Sequence, residues 1–460
     1  MSLTKASYAM ITGAVINVKD YGAVGDYNEN TGAGTNDTAA LQAAIDAAAA
    51  LPKNGAVFIP SGNYKITAAL EVPYGVSIFG EGATASTIFA LNCNGLQFVT
   101  FGYSVGSMFY EDFGITSAGG SNYAAIAAET NAATQDGLYF NRLRIYQFDT
   151  GIYLSSNWNC TIENCVMENI NAGIRLAGSN GETIGTRILN NRLTYAAGGT
   201  GSTGSFGIDI VTTGKFTESV HIAFNQIYGF TTCINVAQAT YVTILDNDLS
   251  GSGNVIAFVT PAGGYNISNN YIEVNASGTG IYGAPQNTET PTTRSVISSN
   301  YLIASATGSV GIKLNGSGGT YQWNSVLRDN TFVGFQLNDI RLEACGRLLV
   351  DSNRCMSTVP TNSIYVGEVI GPLVVVTNNY CRKALYVDIA ADYTDGKLIL
   401  ANNVENNTFQ PTKQSAAPTT GTWRVTDVVM NSAPASGQPA GWVCTVAGTP
   451  GTWKAMANLA

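Results

Sequence analysis

The sequence predicts an all-β fold, a right-handed single-stranded parallel β-helix with an N-terminal capping α-helix and a small C-terminal β module. Three observations favour it: an asparagine that recurs with apolar neighbours, a second recurring apolar segment, and the composition. Of the 460 residues, 12% are charged and 45% are hydrophobic, and the remainder is rich in Gly, Ser, Thr and Asn. This composition is typical of a β-rich solenoid with polar loops rather than of a disordered chain or a helical bundle.

The first repeat is a short apolar segment followed by an asparagine and a second apolar residue. It occurs at Asn141, Asn191, Asn225, Asn247, Asn270, Asn300, Asn330, Asn353, Asn379 and Asn403. In the related segment TIENCVM, Asn164 or Cys165 takes the position, and the spacings are then 22 to 34 residues. This is the length of one coil with three short strands and their turns. Each strand would pair with its copy about 4.8 Å away, and the asparagines would bond to one another in a ladder at a turn.

The second repeat predicts one face of the solenoid. It reads GIYL, GIRL, GIDI, CINV, GIYG, GIKL, DIRL and SIYV, with a looser copy VIAF. Alternation places the Ile and the next apolar residue inward, and the residue between them outward. We call these outward residues the outer column: Tyr153, Arg175, Asp209, Asn235, Ala257, Tyr282, Lys313, Arg341 and Tyr365. Eight of the nine are polar or aromatic, which predicts a functional surface.

The segments before and after the repeats predict the two ends. NDTAALQAAIDAAAAL (36–51) is Ala-rich, Asn36 or Asp37 is a suitable N-cap, and the helix is expected to cover the open end of the solenoid. After Asn407 the repeat stops, QPTKQSAAPTTGTW has the composition of a linker, and residues 421–460 predict a small β module. The expected division is residues 1–66, 67–410 and 411–460.

Composition also excludes several classes of function. The net charge of −9 and the absence of a basic run argue against nucleic-acid binding. The acidity suits either a neutral glycan or simple solubility. Eight cysteines without CxxC spacing and a single histidine argue against a metal site, so reduced core cysteines and no cofactor are expected. An apolar run of about 20 residues is lacking, so membrane insertion is not expected, and the N-terminus lacks the apolar core of a signal peptide.

The segments INVKDYGAVGD, NDTAALQAAIDAA and GAVFIPSGNYKI, over about residues 16–66, resemble the opening of the pectate-lyase-like superfamily in the branch found in bacteriophage tailspikes. GTWRV and GWVCTVAGTPGTWK are similar to a module at the ends of phage tailspikes and fibres. The resemblance implies a homotrimer assembled in the host cytoplasm and located in the virion tail, attached to a phage tail or adaptor protein. It also implies a bacterial surface polysaccharide as substrate: capsule, exopolysaccharide or O-antigen.

The catalytic motifs of the superfamily are missing from this chain. An NTD segment and a paired DD on neighbouring coils are absent, and GIDI follows Ser205 and Phe206 instead. The acids and the arginine of a pectate-lyase calcium site cannot be placed either. The chemistry therefore cannot be carried over residue by residue.

Glycoside hydrolysis needs two carboxylates, roughly 5 Å apart for retention or 6.5–9.5 Å for inversion. Asp209 is the one acid of the outer column, Glu182 lies in the longest insertion, and Glu343 follows Arg341 by two residues. We predict that Asp209 works with Glu182, or with a carboxylate such as Glu343 across a subunit groove. The alternative is that Asp209 forms a structural ion pair with Arg175 one rung away.

Two other functions remain open beside the leading prediction of a hydrolase. A polysaccharide lyase needs a cation at the uronate and a base, which Lys313, Arg341, Arg175 and Tyr282 could supply unless they are ordinary solvated surface. A receptor-binding spike would hold the glycan without cutting it.

The remaining candidates concern binding and turns. Trp158 and Trp323 follow coil strands and could stack on sugar rings or bury an edge of the solenoid. The predicted substrate-binding set is Tyr153, Trp158, Arg175, Asn235, Tyr282, Lys313, Trp323 and Arg341. His221 is expected to be structural, and Asp246 and Asp248 are expected to be turn residues.

Overall fold

The computed structural model describes residues 15–460 except 53–54, 100–107, 119–121, 129–134, 178–181, 196–204, 212–216, 238, 259–263, 285–293, 317–322, 368, 370–372, 388–397, 406–412, 422, 424 and 426. The chain divides into two compact units, Met1–Asn403 and Val404–Ala460.

The first unit is a right-handed parallel β-solenoid, as the sequence predicts. Its coils pass through three long parallel sheets, A, B and C, and some of them add a short sheet D before the chain returns to sheet A. Sheet A contains Ile16–Asn17, Ala56–Ile59, Ser77–Gly80, Met108–Glu111, Leu138–Asn141, Thr161–Glu163, Arg187–Leu189, His221–Ala223, Thr243–Leu245, Asn266–Ser268, Ser295–Ser298, Ser325–Arg328, Leu348–Asp351, Val374–Thr377 and Leu398–Ala401.

The other sheets of this unit follow in the order in which each coil meets them. Sheet B contains Gly62–Ile66, Ser86–Ala90, Gly114–Ser117, Arg144–Tyr146, Val166–Glu168, Arg192–Thr194, Gln226–Tyr228, Asp248–Gly251, Tyr271–Val274, Tyr301–Ala304, Thr331–Val333, Arg354–Cys355 and Tyr380–Cys381. Sheet C contains Leu70–Val72, Leu96–Phe98, Ala124–Ala128, Thr150–Ser155, Ala172–Ala177, Phe206–Val211, Thr232–Ala237, Asn254–Phe258, Thr279–Gly283, Val310–Asn315, Asn338–Glu343, Asn362–Val366 and Ala384–Val387. Sheet D contains Gln135–Asp136, Asn157–Trp158, Thr183–Ile184, Thr217–Glu218 and Ala239–Thr240.

Alternation along each strand builds the core. In sheet C, Ile152 pairs in register with Ile174, and Ile174 with Ile208, and all three side chains are fully buried. The residues between the inward positions face outward, as expected for a strand period of two. The predicted inward and outward positions of the second repeat are therefore confirmed.

The asparagine ladder joins sheets A and B at the turn between them. From Asn191 to Asn403, each ladder asparagine donates its backbone N–H and its side-chain amide to the Oδ1 of the next one. The same side-chain amides also donate to a backbone carbonyl one coil back, for example from Asn300 to Ile267 at 2.9 Å. Because the interior asparagines of the ladder are buried, these bonds replace the water that the turn would otherwise need.

At the start of the ladder, the structure decides the alternative between Asn164 and Cys165 and corrects the assignment of Asn141. The ladder position in TIENCVM belongs to Cys165, whose N–H donates to Asn191 Oδ1 at 2.9 Å, whereas Asn164 occupies the left-handed position before it with φ 56°. One coil earlier the position belongs to Leu143, whose carbonyl accepts from Val166 N. Asn141 is thus not a ladder member, and its side chain lies at the end of a sheet A strand instead.

Helix α1 (Thr38–Ala49) covers the first coil. Its apolar face buries Leu41, Ala44, Ile45 and Ala48, and a short 3₁₀ helix, Val18–Tyr21, precedes it. Asp37 is the N-cap residue, but its carboxylate accepts from the N–H groups of Val24 and Gly25 rather than from the helix. The helix also binds the edge of sheet C, because Gln42 donates to the carbonyl of Glu71 and accepts from its N–H. The predicted capping helix is therefore confirmed.

The second unit begins with the two-residue strand Val404–Glu405 and contains a four-stranded sheet of Lys413–Gln414, Val428–Asn431, Gly441–Val446 and Thr452–Ala455. Its core consists of Trp423, Val429 and Cys444, with Trp442 and Trp453 partly buried against it. The indole rings of Trp423 and Trp453 meet edge to face at 4.8 Å. Lys413–Gln414 lies inside the segment predicted to be a linker, so that segment contributes a strand to the module.

All eight cysteines are buried and free, which confirms their prediction as small core residues. Burial raises the pKa of the thiols of Cys160, Cys165, Cys233 and Cys345, so they stay protonated at neutral pH. Among the described helices, none is long and apolar enough to cross a bilayer.

Substitution of a central ladder residue tests how much the turn contributes to stability. In Asn300→Ala, the buried N–H of Asn270 and the carbonyl of Ile267 lose a partner, so we expect the free energy of unfolding to fall by roughly 3 kcal/mol. Thermal and denaturant unfolding would measure this. The control is Asn266→Ala, at an exposed position of sheet A, which should change stability far less. Equal losses of stability in the two variants would contradict a special role for the ladder.

Candidate functional site

The outer column lies on sheet C in the predicted register. Tyr153 pairs with Arg175, and the pairs continue through each residue of the column to Arg341 and Tyr365, after which Tyr386 extends it by one rung. Asp209 and Ala257 are buried, Tyr386 is exposed, and the other members are half-buried. One strip of sheet C therefore carries two charged groups, separated by Ala257 and Tyr282.

The first charged group is centred on Asp209, whose side chain is 3% exposed. Asn235, one rung above, donates to Oδ1 at 2.8 Å, and Arg175 Nε, one rung below, lies 3.5 Å from Oδ2. Burial raises the pKa of Asp209, and the amide of Asn235 and the charge of Arg175 oppose that rise without cancelling it. Asp209 is thus a carboxyl group whose protonated form is favoured relative to a solvated aspartate.

The second charged group is centred on Glu343. Lys313 Nζ lies 3.1 Å from one carboxylate oxygen, and Arg341 donates through Nε and a terminal nitrogen to the other, both at 2.6 Å. Burial tends to raise the pKa of Glu343, but the bonds from Arg341 and Lys313 outweigh it and lower the pKa overall. The Arg341 guanidinium also lies over the Tyr365 ring at 4.7 Å, and Tyr365 stacks on Tyr386 at 5.6 Å.

Asp209 and Glu343, two of the three predicted acids, do not meet within one chain. Glu343 lies on the rung of Arg341, which is five rungs from Asp209, or roughly 24 Å along the axis at about 4.8 Å per rung. That separation exceeds both hydrolase geometries. Glu182 directly precedes the sheet D strand Thr183–Ile184, and in the described part of the chain its carboxylate makes no hydrogen bond or ion pair with Asp209.

The two tryptophans of the predicted binding set lie away from the outer column. Trp323 is 5% exposed and packs edge to face against Phe258 at 5.8 Å. It is therefore a core residue, and of its two predicted roles the structure supports burial rather than stacking on a sugar. Trp158 is half-buried on sheet D, in register with Asp136 and Ile184. Its sugar-binding role stays a prediction.

The structure confirms one of the predictions for the other polar residues and contradicts another. Asp246 has φ 52° and lies in the ladder turn, which confirms that it is a turn residue. Asp248 lies on a sheet B strand and accepts from the hydroxyl of Tyr228, so its prediction as a turn residue is wrong. His221 lies on the outer face of sheet A and lines a cavity there.

Asp339, an acid with a raised pKa, was not predicted from the sequence. Its side chain is fully buried beneath sheet C, where burial raises its pKa to about 7, and the nearby hydroxyls of Ser357 and Ser363 offset this rise only in part. The position before the inward Ile is glycine in several coils, for example Gly311 one coil earlier. The aspartate in DIRL, where most other copies of the repeat have glycine or another uncharged residue, was the signal that could have revealed it.

Within the described ranges, a cluster of three or more His, Cys, Asp or Glu side chains that could hold a metal ion does not occur. The groups along the face of the candidate site are a carboxyl with a raised pKa, an ion-paired carboxylate, cationic side chains and tyrosine rings. Fold and site together define a parallel β-helix protein with a polar, aromatic strip of the kind that can hold an extended polar ligand.

Comparison with known proteins makes this class more specific. Residues 15–101 match a family profile described as rhamnogalacturonase A/epimerase, pectate lyase-like, and residues 124–332 match one described as right-handed β-helix region. The tail spike protein of Shigella phage Sf6 is 25% identical over 293 residues, which are 58% of this chain and 44% of that protein. The chain thus matches less than half the length of that relative. These matches support a tailspike-type β-helix protein.

Solved structures share the fold. PfbA, a surface adhesin of Streptococcus pneumoniae, aligns over 97% of this chain and 99% of its own with a TM-score of 0.52 and 14% identity. The catalytic unit of the GH87 α-1,3-glucanase of Streptomyces thermodiastaticus aligns over 88% of this chain and 71% of its own, with a TM-score of 0.50 and 14% identity. At these identities the likeness is one of fold alone.

The buried Asp339 predicts a pH-dependent stability. Its pKa is about 7 in the folded chain and near 3.9 when unfolded, so the folded state binds more protons between these values. Stability should therefore fall as pH rises from about 4 to about 7, by up to roughly 4 kcal/mol, and level off above that. Unfolding of the protein and of Asp339→Asn across this range would measure it.

The Asp339→Asn variant should lose this component of the pH dependence, whereas Asp20→Asn, at an exposed position, should keep it. A pH profile of stability that is identical in the protein and in Asp339→Asn would show that the carboxyl is not protonated when folded.

Proposed function

We propose that this chain is part of a phage tailspike that binds a bacterial surface polysaccharide along the outer column and hydrolyses it, with Asp209 as the general acid. The observation that carries the proposal is the Asp209 carboxyl, whose pKa is raised by burial in the middle of a polar strip on sheet C. A general acid must hold its proton near neutral pH to deliver it to the glycosidic oxygen, and burial is how proteins achieve this.

Arg175 must move for Asp209 to reach a substrate. The Asp209 side chain is 3% exposed, whereas that of Arg175 is 43% exposed and holds Asp209 through one 3.5 Å contact. Since this contact is long and partly solvated, its loss costs little. The freed guanidinium would then bind glycan hydroxyl or acidic groups beside the acid.

The second carboxylate of the hydrolase is proposed to be Glu182 of the same chain or Glu343 of a neighbouring subunit in a homotrimer. The lowered pKa of Glu343 suits an anionic base or nucleophile rather than an acid. Since Glu343 is five rungs from Asp209 in its own chain, its participation requires the groove between two subunits.

The other members of the outer column would bind the polymer on either side of Asp209. Tyr153 and Asn235 flank the Arg175–Asp209 pair, and Tyr282 lies one rung below Lys313. Tyr365 and Tyr386 form a stacked pair at the far end, suited to the C–H face of a pyranose. Trp158 of sheet D is proposed as a further contact.

Elimination is less well supported than hydrolysis. A lysine or arginine that serves as the lyase base must be free to accept a proton from the substrate, but Lys313 and Arg341 both bind the Glu343 carboxylate. A non-enzymatic spike remains the second candidate. The binding-only spike is favoured because the described residues of the outer column include no second carboxylate on the rungs next to Asp209. The residues of the column on those rungs are Arg175 and Asn235.

The proposed location is the virion tail, with attachment through a tail or adaptor protein. The support is the similarity to the tail spike protein of Shigella phage Sf6.

The proposal is tested with purified protein on lawns of encapsulated bacteria and on polysaccharide extracted from a strain that shows a halo. Asp209→Asn should lower the rate of depolymerisation by 10²-fold or more, because it removes the proton donor, while retention of the protein on cells stays within about threefold. Size-exclusion chromatography of the polymer and reducing-end assays would measure cleavage, and ultraviolet absorbance of the products would reveal elimination.

The matched control is Asp329→Asn, a change of the same size at an exposed turn where φ is 57° and asparagine is well tolerated. It should keep full activity. Full activity in Asp209→Asn would refute the assignment, and binding to cells without a fall in polymer size in the unmodified protein would establish the binding-only spike.

A further inference from the structure

Sheet A carries a second groove on the outer face of the solenoid. Two adjacent cavities, of about 550 and 460 Å³, both have Arg187 as a lining residue, and we call the pair the groove of sheet A. Its floor is a single register column of sheet A, spanning six rungs or roughly 24 Å. The column consists of Phe109, Tyr139, Thr161, Arg187, His221 and Thr243.

Two aromatic residues stand on opposite borders of this groove. Phe224 directly follows the sheet A strand His221–Ala223 and is 60% exposed, and Tyr241 precedes the next strand and is 53% exposed. Both have backbone angles in the left-handed region, with φ 59° and 55°. A bulky side chain at such an angle is an outlier, because its Cβ crowds the backbone, and burial does not compensate for it here.

The chain's own repeats show that these two residues are exceptions. The position of Phe224 recurs in twelve successive turns between sheets A and B, each with φ between 51° and 62°. In the first two turns it is Asp112 and Arg142, and Arg142 is held by ion pairs to Glu111 and Asp112. In the other nine turns the position carries residues that tolerate this angle well. They are Asn164, Asn190, Asp246, Asn269, Ser299, Asp329, Ser352, Asn378 and Asn402. The nine residues are Asn, Asp or Ser, so the fold itself does not require an aromatic ring at this turn.

The position of Tyr241 behaves in the same way. It is the turn that leads into each strand of sheet A, and the four preceding coils place Gly137, Asn159, Gly185 and Ser219 there. The next coil has Gly264. Two and three coils after Gly264 the position carries Asn324 and Arg347, with φ 42° and 51°. The repeat therefore accepts one other large side chain here, but the two aromatic departures fall on neighbouring rungs and line the same cavity. A coincidence of two unfavourable residues around one cavity points to a ligand that uses their rings.

The charges of the groove indicate what the ligand carries. Glu111 is paired with Arg142 at 3.1 Å, and Glu163 accepts from the hydroxyl of Tyr139. Arg187 is exposed and forms no ion pair with any described residue, and His221 lies one rung above it. A guanidinium without an ion pair among the described residues, in the same cavity as two exposed aromatic rings, suits a sugar ring that bears an anionic group.

We propose that the groove of sheet A binds a segment of an acidic polysaccharide, with one sugar held between Phe224 and Tyr241 and its anionic group on Arg187. This inference rests on the proposed function for the nature of the ligand, but it concerns a different face from the outer column. The groove holds the polymer, whereas cleavage takes place on sheet C. Binding here raises the local concentration of the polymer at the outer column.

The test replaces the two rings by a residue that suits their backbone. Phe224→Asn and Tyr241→Asn should raise the midpoint temperature of unfolding or leave it unchanged, because asparagine tolerates the left-handed region. The same variants and Arg187→Gln should weaken binding of the full-length protein at least tenfold. The probe is polysaccharide extracted from a bacterial strain to which the protein binds, immobilised for surface plasmon resonance.

Leu337→Asn, which removes an exposed apolar side chain elsewhere on the solenoid, is the control and should bind normally. Cleavage of short oligosaccharides, which do not span both faces, should be unchanged in the groove variants and lost in Asp209→Asn, so the two proposals fail separately. Unchanged polymer binding in all three groove variants would overturn the inference. So would a shift in the sedimentation coefficient of Phe224→Asn or Tyr241→Asn, because the rings would then serve contact between copies of this chain.

Discussion

The register between successive coils is the constraint on which the rest of the solenoid depends. Each ladder asparagine bonds through its backbone and its side chain to the next, so a coil cannot slip against its neighbour without breaking several buried hydrogen bonds. Because the register is fixed, side chains at equivalent positions stack in straight columns about one strand spacing apart. The outer column and the groove of sheet A are both consequences of this alignment, and the loops can vary in length without disturbing either.

The sequence predicted correctly those parts of the fold in which a residue type suits only one structural position. Inward Ile residues of the GIYL-type repeat and most of the ladder asparagines were placed correctly, since burial and the turn leave few alternatives. Asn164 was ambiguous because asparagine suits both the left-handed turn position and the ladder position beside it. Trp323 was misplaced because its neighbours in the sequence are polar, although its ring reaches the core next to Phe258.

The sequence predicted which residues of the candidate site face outward, but it did not predict which charged side chains contact one another. The column order followed from the strand period, but the partners of each charge did not, because they depend on which rung lies above and below. Glu343 is held between Lys313 and Arg341, and Asp209 between Asn235 and Arg175, so two acids of the same chain receive opposite pKa shifts. The groove on sheet A could not be predicted from the sequence, because Phe224 is unusual only once its backbone angle is known.

Helix α1 also affects end-to-end association of these molecules. A parallel solenoid ends in a strand whose N–H and C=O groups can accept another strand, which is how cross-β polymers elongate. At the N-terminal end Gln42 occupies both backbone groups of Glu71, and the apolar face of the helix covers the first coil. The same backbone hydrogen bonding that stacks one coil on another is thereby blocked at Glu71, so this edge of sheet C is closed to a strand from another molecule.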